Sequence, residues 1–298
     1  MHVLRTIREV NAWRAKLRAQ QKKVGFVPTM GYLHDGHVSL IAEALSRADY
    51  VIVSIFVNPL QFGINEDFSV YPRDEARDLQ MAQQAGANAV FLPSADEMYP
   101  AKPMTSIQVR SVSESLCGAS RPGHFDGVAF VVVKLFNIVQ PDFACFGMKD
   151  AQQVAVIEQL VNDLNIPVEI VRCPIIREKD GLAMSSRNVY LTNEERTQAL
   201  ILSSALREVQ HILIEQRQGI PALDIRALAE DMISNQTDAV IDYVEVRHYP
   251  SLHPVFADYL IKYDTKDMIL LALAVRFGRT RLIDNLLIGS DKGSEIDV

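Results

Sequence analysis

Ile7, Val10, Trp13 and Leu17 recur at helical spacing and predict an amphipathic helix over 6–20. A short apolar run at 24–27 reads as a buried strand, which Pro28 is expected to end before a glycine-containing loop. A helix is predicted over about 37–46, then a β-rich and almost wholly apolar strand at 50–57 that stops at Asn58-Pro59. Helix follows at 75–84 and strand at 89–92, with further strands at 143–146 and 168–172. Long helical patterns lie before the first of these and between the two. Short strands alternating with helices predict an α/β domain with a parallel sheet, ending near Pro174. Beyond it the pattern changes. Polar, turn-rich 176–188 leads into one long amphipathic helix at 194–216, a second helix at 224–234, and strands at 243–247, 269–277 and 281–288. Helices first and strands later predict a smaller α+β domain, with a frayed tail over 289–298.

Composition narrows the classes. The chain has 298 residues, enough for two ordinary domains, and 48% of them are hydrophobic, enough for sizeable cores. The richest apolar run, 268–277, is strand-length, so no membrane span is expected. No basic-then-apolar leader opens the sequence, so a cytoplasmic location is expected. Cys117, Cys145 and Cys173 are too few and too widely spaced for a disulfide framework or a zinc site. The formal net charge of −7 argues against a general nucleic-acid surface, but not against a local basic pocket for a nucleotide.

The chemistry concentrates after the strands. Segment 28–37, Pro-Thr-Met-Gly-Tyr-Leu-His-Asp-Gly-His, leaves the carboxyl end of the first strand and enters a helix, the usual ligand position in open α/β sheets. Gly36 between His34 and His37 lets backbone approach a ligand, and a helix N-terminus with imidazole donors suits phosphate. The bland reading is two loop histidines beside a cap. The pair lacks the four-residue offset of a helical zinc pair, and the segment is neither a P-loop nor a dinucleotide fingerprint. After the second strand, Asn58 and Gln61 offer amides for a small polar substrate and Phe62 an apolar wall; an ordinary Asn-Pro turn is the alternative. Gly147, Lys149, Asp150 and Gln153 open a helix after a strand, with Lys149 suited to phosphate and Asp150 to a cap or a ribose. Loop 177–188 carries Ser185, Ser186 and Arg187 and can close over a triphosphate; a solvated linker is the alternative. Segment 118–127 reads as a pocket wall or a subunit contact. Asp67, Asp74 and Asp78 read as magnesium-binding through water or as a solvated helix start.

Taken in order, PTMGYLHDGH at 28–37, FVNPLQF at 56–62, YPR at 71–73, RPGHFDGV at 121–128, KLFNIVQPD at 134–142, CFGMKDAQQ at 145–153, DGLAMSSRN at 180–188 and TRLIDN at 280–285 resemble the pantoate–beta-alanine ligase family over nearly the whole chain. The resemblance implies a Rossmann-like nucleotidyltransferase domain at 1–175 and a smaller α+β domain at 176–298, with hinge and phosphate-binding loop at 177–188. It implies a cytoplasmic homodimer that condenses pantoate with beta-alanine while ATP becomes AMP and pyrophosphate. On this resemblance His34, His37, Lys149, Ser185, Ser186 and Arg187 surround the phosphates as catalytic groups. Met30, Gly36, Gly147, Asp150, Ile176 and Met184 complete the ATP site, Gln61, Gln153, Met30, Phe62 and Asn58 take pantoate, and Asp78 lies near Mg2+. Met148 stands where many relatives have glutamate and should point away from the chemistry; Arg77 occupies a position that can be acidic elsewhere. A related adenylyltransferase, a tRNA-synthetase-like protein and a catalytically silent scaffold are the rival readings.

Overall fold

The computed structural model describes residues 1–63, 66–236 and 239–289. Most of the tail expected to fray lies outside them. The chain separates into two compact units. Unit 1 comprises Met1–Val109, Arg121–Met148 and Val156–Cys173; unit 2 comprises Arg110–Ser120, Lys149–Ala155 and the chain from Pro174 onward.

Unit 1 is an α/β layer structure. Its elements run β1 (His2–Leu4), α1 (Ile7–Ala19), β2 (Val24–Thr29), α2 (Asp35–Arg47), β3 (Tyr50–Ile55), α3 (Glu75–Gln84), β4 (Ala89–Phe91), α4 (His124–Val139), β5 (Phe143–Gly147), the start of α5 (Ala151–Asp163) being shared with unit 2, and β6 (Glu169–Cys173). Six parallel strands in the order β1-β4-β3-β2-β5-β6 make a Rossmann-like sheet. Alternation along the strands loads both faces. Val27, Val53, Val90 and Cys145 pack with Leu40, Ile41 and Ala44 of α2, while Phe26 and Phe146 meet Phe136 of α4 edge-on at 6.3 and 6.5 Å. Burying each of the valine, leucine, isoleucine and phenylalanine side chains among them stabilises the fold by about 1.5–3 kcal/mol. The helix α1 begins at a reciprocal cap in which Thr6 accepts from Glu9 N–H and the Glu9 carboxylate accepts from Thr6 N–H.

One sequence expectation shifts here, and one strand is added. The strand β2 continues through Pro28 to Thr29; its pairing with β5 ends at Phe26, and beyond that point β2 has one free edge, where proline is tolerated. The three-residue edge strand β1, too short to show a period, pairs with β4.

Unit 2 carries α6 (Asn193–Gln198), α7 (Leu200–Glu215), α8 (Ala222–Gln236), β7 (Val240–His248), β8 (Ile269–Phe277) and β9 (Thr280–Ile288). The strands form an antiparallel sheet in the order β9-β8-β7. Leu202, Leu206 and Val209 of α7 and Ile225, Ala229 and Ile233 of α8 share a core with Leu271, Leu273, Leu282 and Leu286. The single helix expected over 194–216 is interrupted at Ala199. Thr197 Oγ1 bonds back to Asn193 O at 3.0 Å, the kind of hydroxyl contact that bends a helix.

Candidate functional site

In unit 1 the strand order reverses between β2 and β5, because the chain builds outward from β2 through β3 and β4 and then returns to β5 on the other side. Ligands in open α/β sheets bind beyond the carboxyl ends of the strands at this switch point. The loop leaving β2 and Gly147 at the end of β5 flank it. A Cβ built on Gly147 meets no atom within 4 Å, so open space lies before this residue.

The loop after β2 is held from inside. Gly31 has φ +83° and Tyr32 φ +51°, which turn the chain sharply. Buried Asp78 of α3 then accepts Tyr32 N–H through Oδ2 at 2.8 Å and Leu33 N–H through Oδ1 at 2.7 Å. Burial pushes the Asp78 carboxyl up, and these two backbone bonds oppose that rise. His34 enters α2 in extended conformation, and its N–H donates to His37 Nδ1 at 3.2 Å. With Nδ1 an acceptor, Nε2 carries the proton, so His37 presents an N–H donor. The two rings lie 4.1 Å apart. Gly36 sits in the first turn of the same helix.

A second loop, after β3, positions the amides. The Asn58 Oδ1 accepts Leu60 N–H at 3.2 Å and the Tyr99 hydroxyl at 2.8 Å, while Nδ2 donates to Gly127 O at 3.0 Å. A backbone N–H and a backbone carbonyl leave no choice about which end of this amide is which. The Gln61 atom that faces Asn58 Nδ2 at 3.1 Å must therefore be the oxygen. Its Nε2 is turned to the other side, 3.2 Å from Met30 Sδ. Gln61 thus offers a donor. Asn58 is saturated and 1% exposed, which makes it the holder of Gln61 in this geometry. Burial pushes the Tyr99 phenol up, so it stays a neutral donor. Phe62 packs against Phe68 and Tyr71.

Sequence reasoning left segment 118–127 undecided and did not single out Tyr99. The structure places His124 Nδ1 at 2.8 Å from Gln61 O, and Arg121 bridges Glu66 at 2.7 Å and His124 at 3.0 Å. A glycine inside the apolar helix α4, Gly127, was the available signal, since mid-helix glycine marks close packing.

Unit 2 gathers the other candidates. Lys149 and Asp150 lie in the turn Met148–Asp150, with Lys149 Nζ 3.6 Å from Asp150 Oδ2, and partly buried Gln153 follows in the first turn of α5. Met148, between Gly147 and Lys149, is buried. The 177–188 loop doubles back on itself: Met184 N–H donates to Ile176 O at 3.0 Å and Glu178 N–H to Leu182 O at 2.8 Å. Arg196 clamps Glu178 at 2.7 Å and Asp180 at 2.8 Å. Ser185 caps the following turn by accepting Arg187 N–H at 3.2 Å, and Ser186 is 9% exposed. The segment 110–120 is fixed to α5 by Gln152, whose amide oxygen accepts Cys117 N–H at 2.9 Å and whose nitrogen donates to Ser115 O at 2.6 Å.

The donor set does not fit a protein-held magnesium ion. Among the described residues no three His, Cys, Asp or Glu side chains form a metal cluster. The metal role expected of Asp78 meets a carboxylate whose two oxygens each already accept a loop N–H and which is 1% exposed. Among the described residues no helix is long and apolar enough to cross a membrane.

The pantoate-beta-alanine ligase family model matches residues 2–287. A pantothenate synthetase of Acetivibrio thermocellus is 52% identical over 96% of this chain and 99% of its own. A structure of the Thermus thermophilus pantothenate synthetase superposes with a TM-score of 0.88 at 42% identity, covering 97% of this chain and all of that one. A Francisella tularensis pantoate-beta-alanine ligase, solved with beta-gamma ATP and beta-alanine, gives a TM-score of 0.72 at 34% identity over 96% and 97% of the two chains.

Proposed function

Because the chain belongs to the pantoate-beta-alanine ligase family, we propose a residue-level path for the reaction that family performs. The chain catalyses the ATP-dependent condensation of pantoate with beta-alanine to give pantothenate, AMP and pyrophosphate. A free carboxylate repels nucleophiles and has no good leaving group. The path therefore begins with a pantoate carboxylate oxygen attacking the α-phosphorus of ATP. The bond to the bridging oxygen breaks and pyrophosphate leaves. The amine of beta-alanine, having lost a proton, then attacks the carbonyl of the pantoyl adenylate, and the carbon–oxygen bond to AMP breaks.

The observation that carries this assignment is the fixed polarity of Gln61. A neutral N–H donor, fixed in direction by Asn58, suits the oxygens of a hydroxy acid, whereas a phosphate-bearing acceptor calls for a charged donor. Gln61 and Gln153 orient pantoate, Met30 and Phe62 wall it, and Asn58 holds Gln61. His34 and His37 donate to ATP phosphates at the start of α2, where the helix field favours anions, and Gly36 and Gly147 let the nucleotide approach. Asp150 takes the ribose, and Ile176 and Met184 border the nucleotide. Lys149, Ser185, Ser186 and Arg187 stabilise the charge that develops as pyrophosphate leaves. We assign Asp78 to fixing the histidine loop; magnesium would accompany ATP as its counter-ion and offset phosphate charge, with no side chain of the chain assigned to hold it. We carry the division into 1–175 and 176–298, the homodimeric state and the cytoplasmic location as part of the same proposal.

Purified protein with Mg-ATP and pantoate is expected to accumulate pantoyl adenylate, and to yield pantothenate and AMP once beta-alanine is added. Mass-resolved product analysis checks both steps; AMP transfer that is complete without any amine would favour the adenylyltransferase reading instead. Gln61→Ala is expected to raise the pantoate KM about tenfold or more with little change for ATP, as loss of a hydrogen bond to a charged group implies. Gln61→Glu keeps the oxygen that faces Asn58 but replaces the donor with an anion, so it should be at least as severe. Equal changes for both substrates in steady-state assays would remove Gln61 from the pantoate contact.

A further inference from the structure

We propose that Asp284 and Asn285 of β9 are positioning residues which together set the Lys149 turn and the 177–188 loop. Successive side chains on a strand leave opposite faces, so one dipeptide can reach two elements. Asp284 shares its face with Leu282 and Leu286, which enter the core of unit 2, and is itself 2% exposed. Its two oxygens take the Arg177 guanidinium as a fork, Oδ2 from Nη1 at 2.6 Å and Oδ1 from Nη2 at 3.0 Å. Arg177 Nη1 also donates across the base of the loop to Gly181 O at 3.1 Å, opposite the backbone bridge between Arg177 and Ala183. Oδ1 accepts Asn285 N–H at 2.8 Å as well, which locks the carboxylate in place. On the other face Asn285 Nδ2 donates to the main-chain carbonyl of Lys149 at 3.1 Å. A carbonyl can only accept, so the orientation of this amide is fixed. Two segments distant in sequence, each holding groups assigned to phosphate, are thus referred to adjacent residues of one strand.

The inference rests on the assignment of Lys149 and of 185–187 to the phosphates. Its consequence is specific: Asn285 acts through the placement of Lys149. In single-turnover pyrophosphate release with the full chain, Asn285→Ala is expected to slow adenylate formation about five- to tenfold, and to have less than about a twofold effect when Lys149 is already alanine. Equal factors in the two backgrounds, or no effect in either, would overturn it. Lys149→Ala alone, in the same assay, tests the underlying phosphate assignment separately. The Asp284 half is read from Arg177→Lys, which keeps the charge but loses the fork and leaves the buried carboxylate with a cation. It should raise the ATP KM about fivefold at an unchanged pantoate KM. A parallel rise in both KM values, or no rise, would overturn that half.

Discussion

Lys149→Ala is expected to slow pyrophosphate release in a single turnover by about 100- to 1,000-fold, the range seen when one preorganised donor to developing charge is removed. The fold should survive. The Lys149 side chain is 20% exposed, and its ion pair, 3.6 Å to a half-exposed Asp150, is of the kind that contributes little. What Asn285 grips is the Lys149 carbonyl, which alanine retains. Thermal melting should therefore stay within about 0.5 kcal/mol of the parent, as for surface substitutions generally. Because the lysine is assigned to charge that appears only as the bridging bond breaks, kcat and kcat/KM should fall together, with ATP binding much less affected. Lys149→Arg should recover only part of the rate, since a planar fork does not occupy the place of a compact ammonium. Parent-like single-turnover rates in the alanine variant would take Lys149 out of the transition state.

This residue also marks what the sequence made legible. Lys149 announces itself locally, as a cation just after a strand that ends in glycine, and the histidines of 34–37 do the same after β2. The sheet was legible for a related reason: central parallel strands are buried on both faces and read as nearly continuous apolar runs, as at 50–55, where Ser54 alone is polar. The supports of these groups are another matter. Asp78 holds the histidine loop from 45 positions away, Asn58 reaches Gly127 across 69, and Asp284 reaches Arg177 across 107. Nothing in local spacing encodes such pairings, since an aspartate that starts a helix, an asparagine before proline and a glycine in an apolar helix each have an ordinary local explanation. The grouping of 110–120 and 149–155 with the C-terminal residues is equally long-range. It depends on bonds such as Gln152 to the Cys117 backbone and Ser120 to Asp242.

The clearest test of those long-range supports is Gly127→Ala. At an exposed helical position, alanine for glycine stabilises by about 1 kcal/mol. At 127 the added Cβ would stand 2.3 Å from Leu60 O and 2.7 Å from Gln61 Cα, and both obstacles are backbone rather than the end of a mobile side chain. Either α4 or the loop of 58–62 must move, at an overpacking cost of about 1–3 kcal/mol or more. The sign of the stability change should therefore be inverted, a loss in urea unfolding where helix propensity alone gives a gain. The same displacement strains the bond from Asn58 Nδ2 to Gly127 O and with it the orientation of Gln61, so the pantoate KM should rise more than tenfold while the ATP KM changes little. Gly147→Ala is the matched control. Its Cβ meets no protein atom within 4 Å, so stability should be kept and the ATP KM should rise instead. Two glycine-to-alanine changes of identical chemistry would then separate a wall that packs against protein from a surface kept bare for the nucleotide. A stable Gly127→Ala protein with parent-like pantoate kinetics would mean that the close approach of α4 to Gln61 is not what sets the acid site.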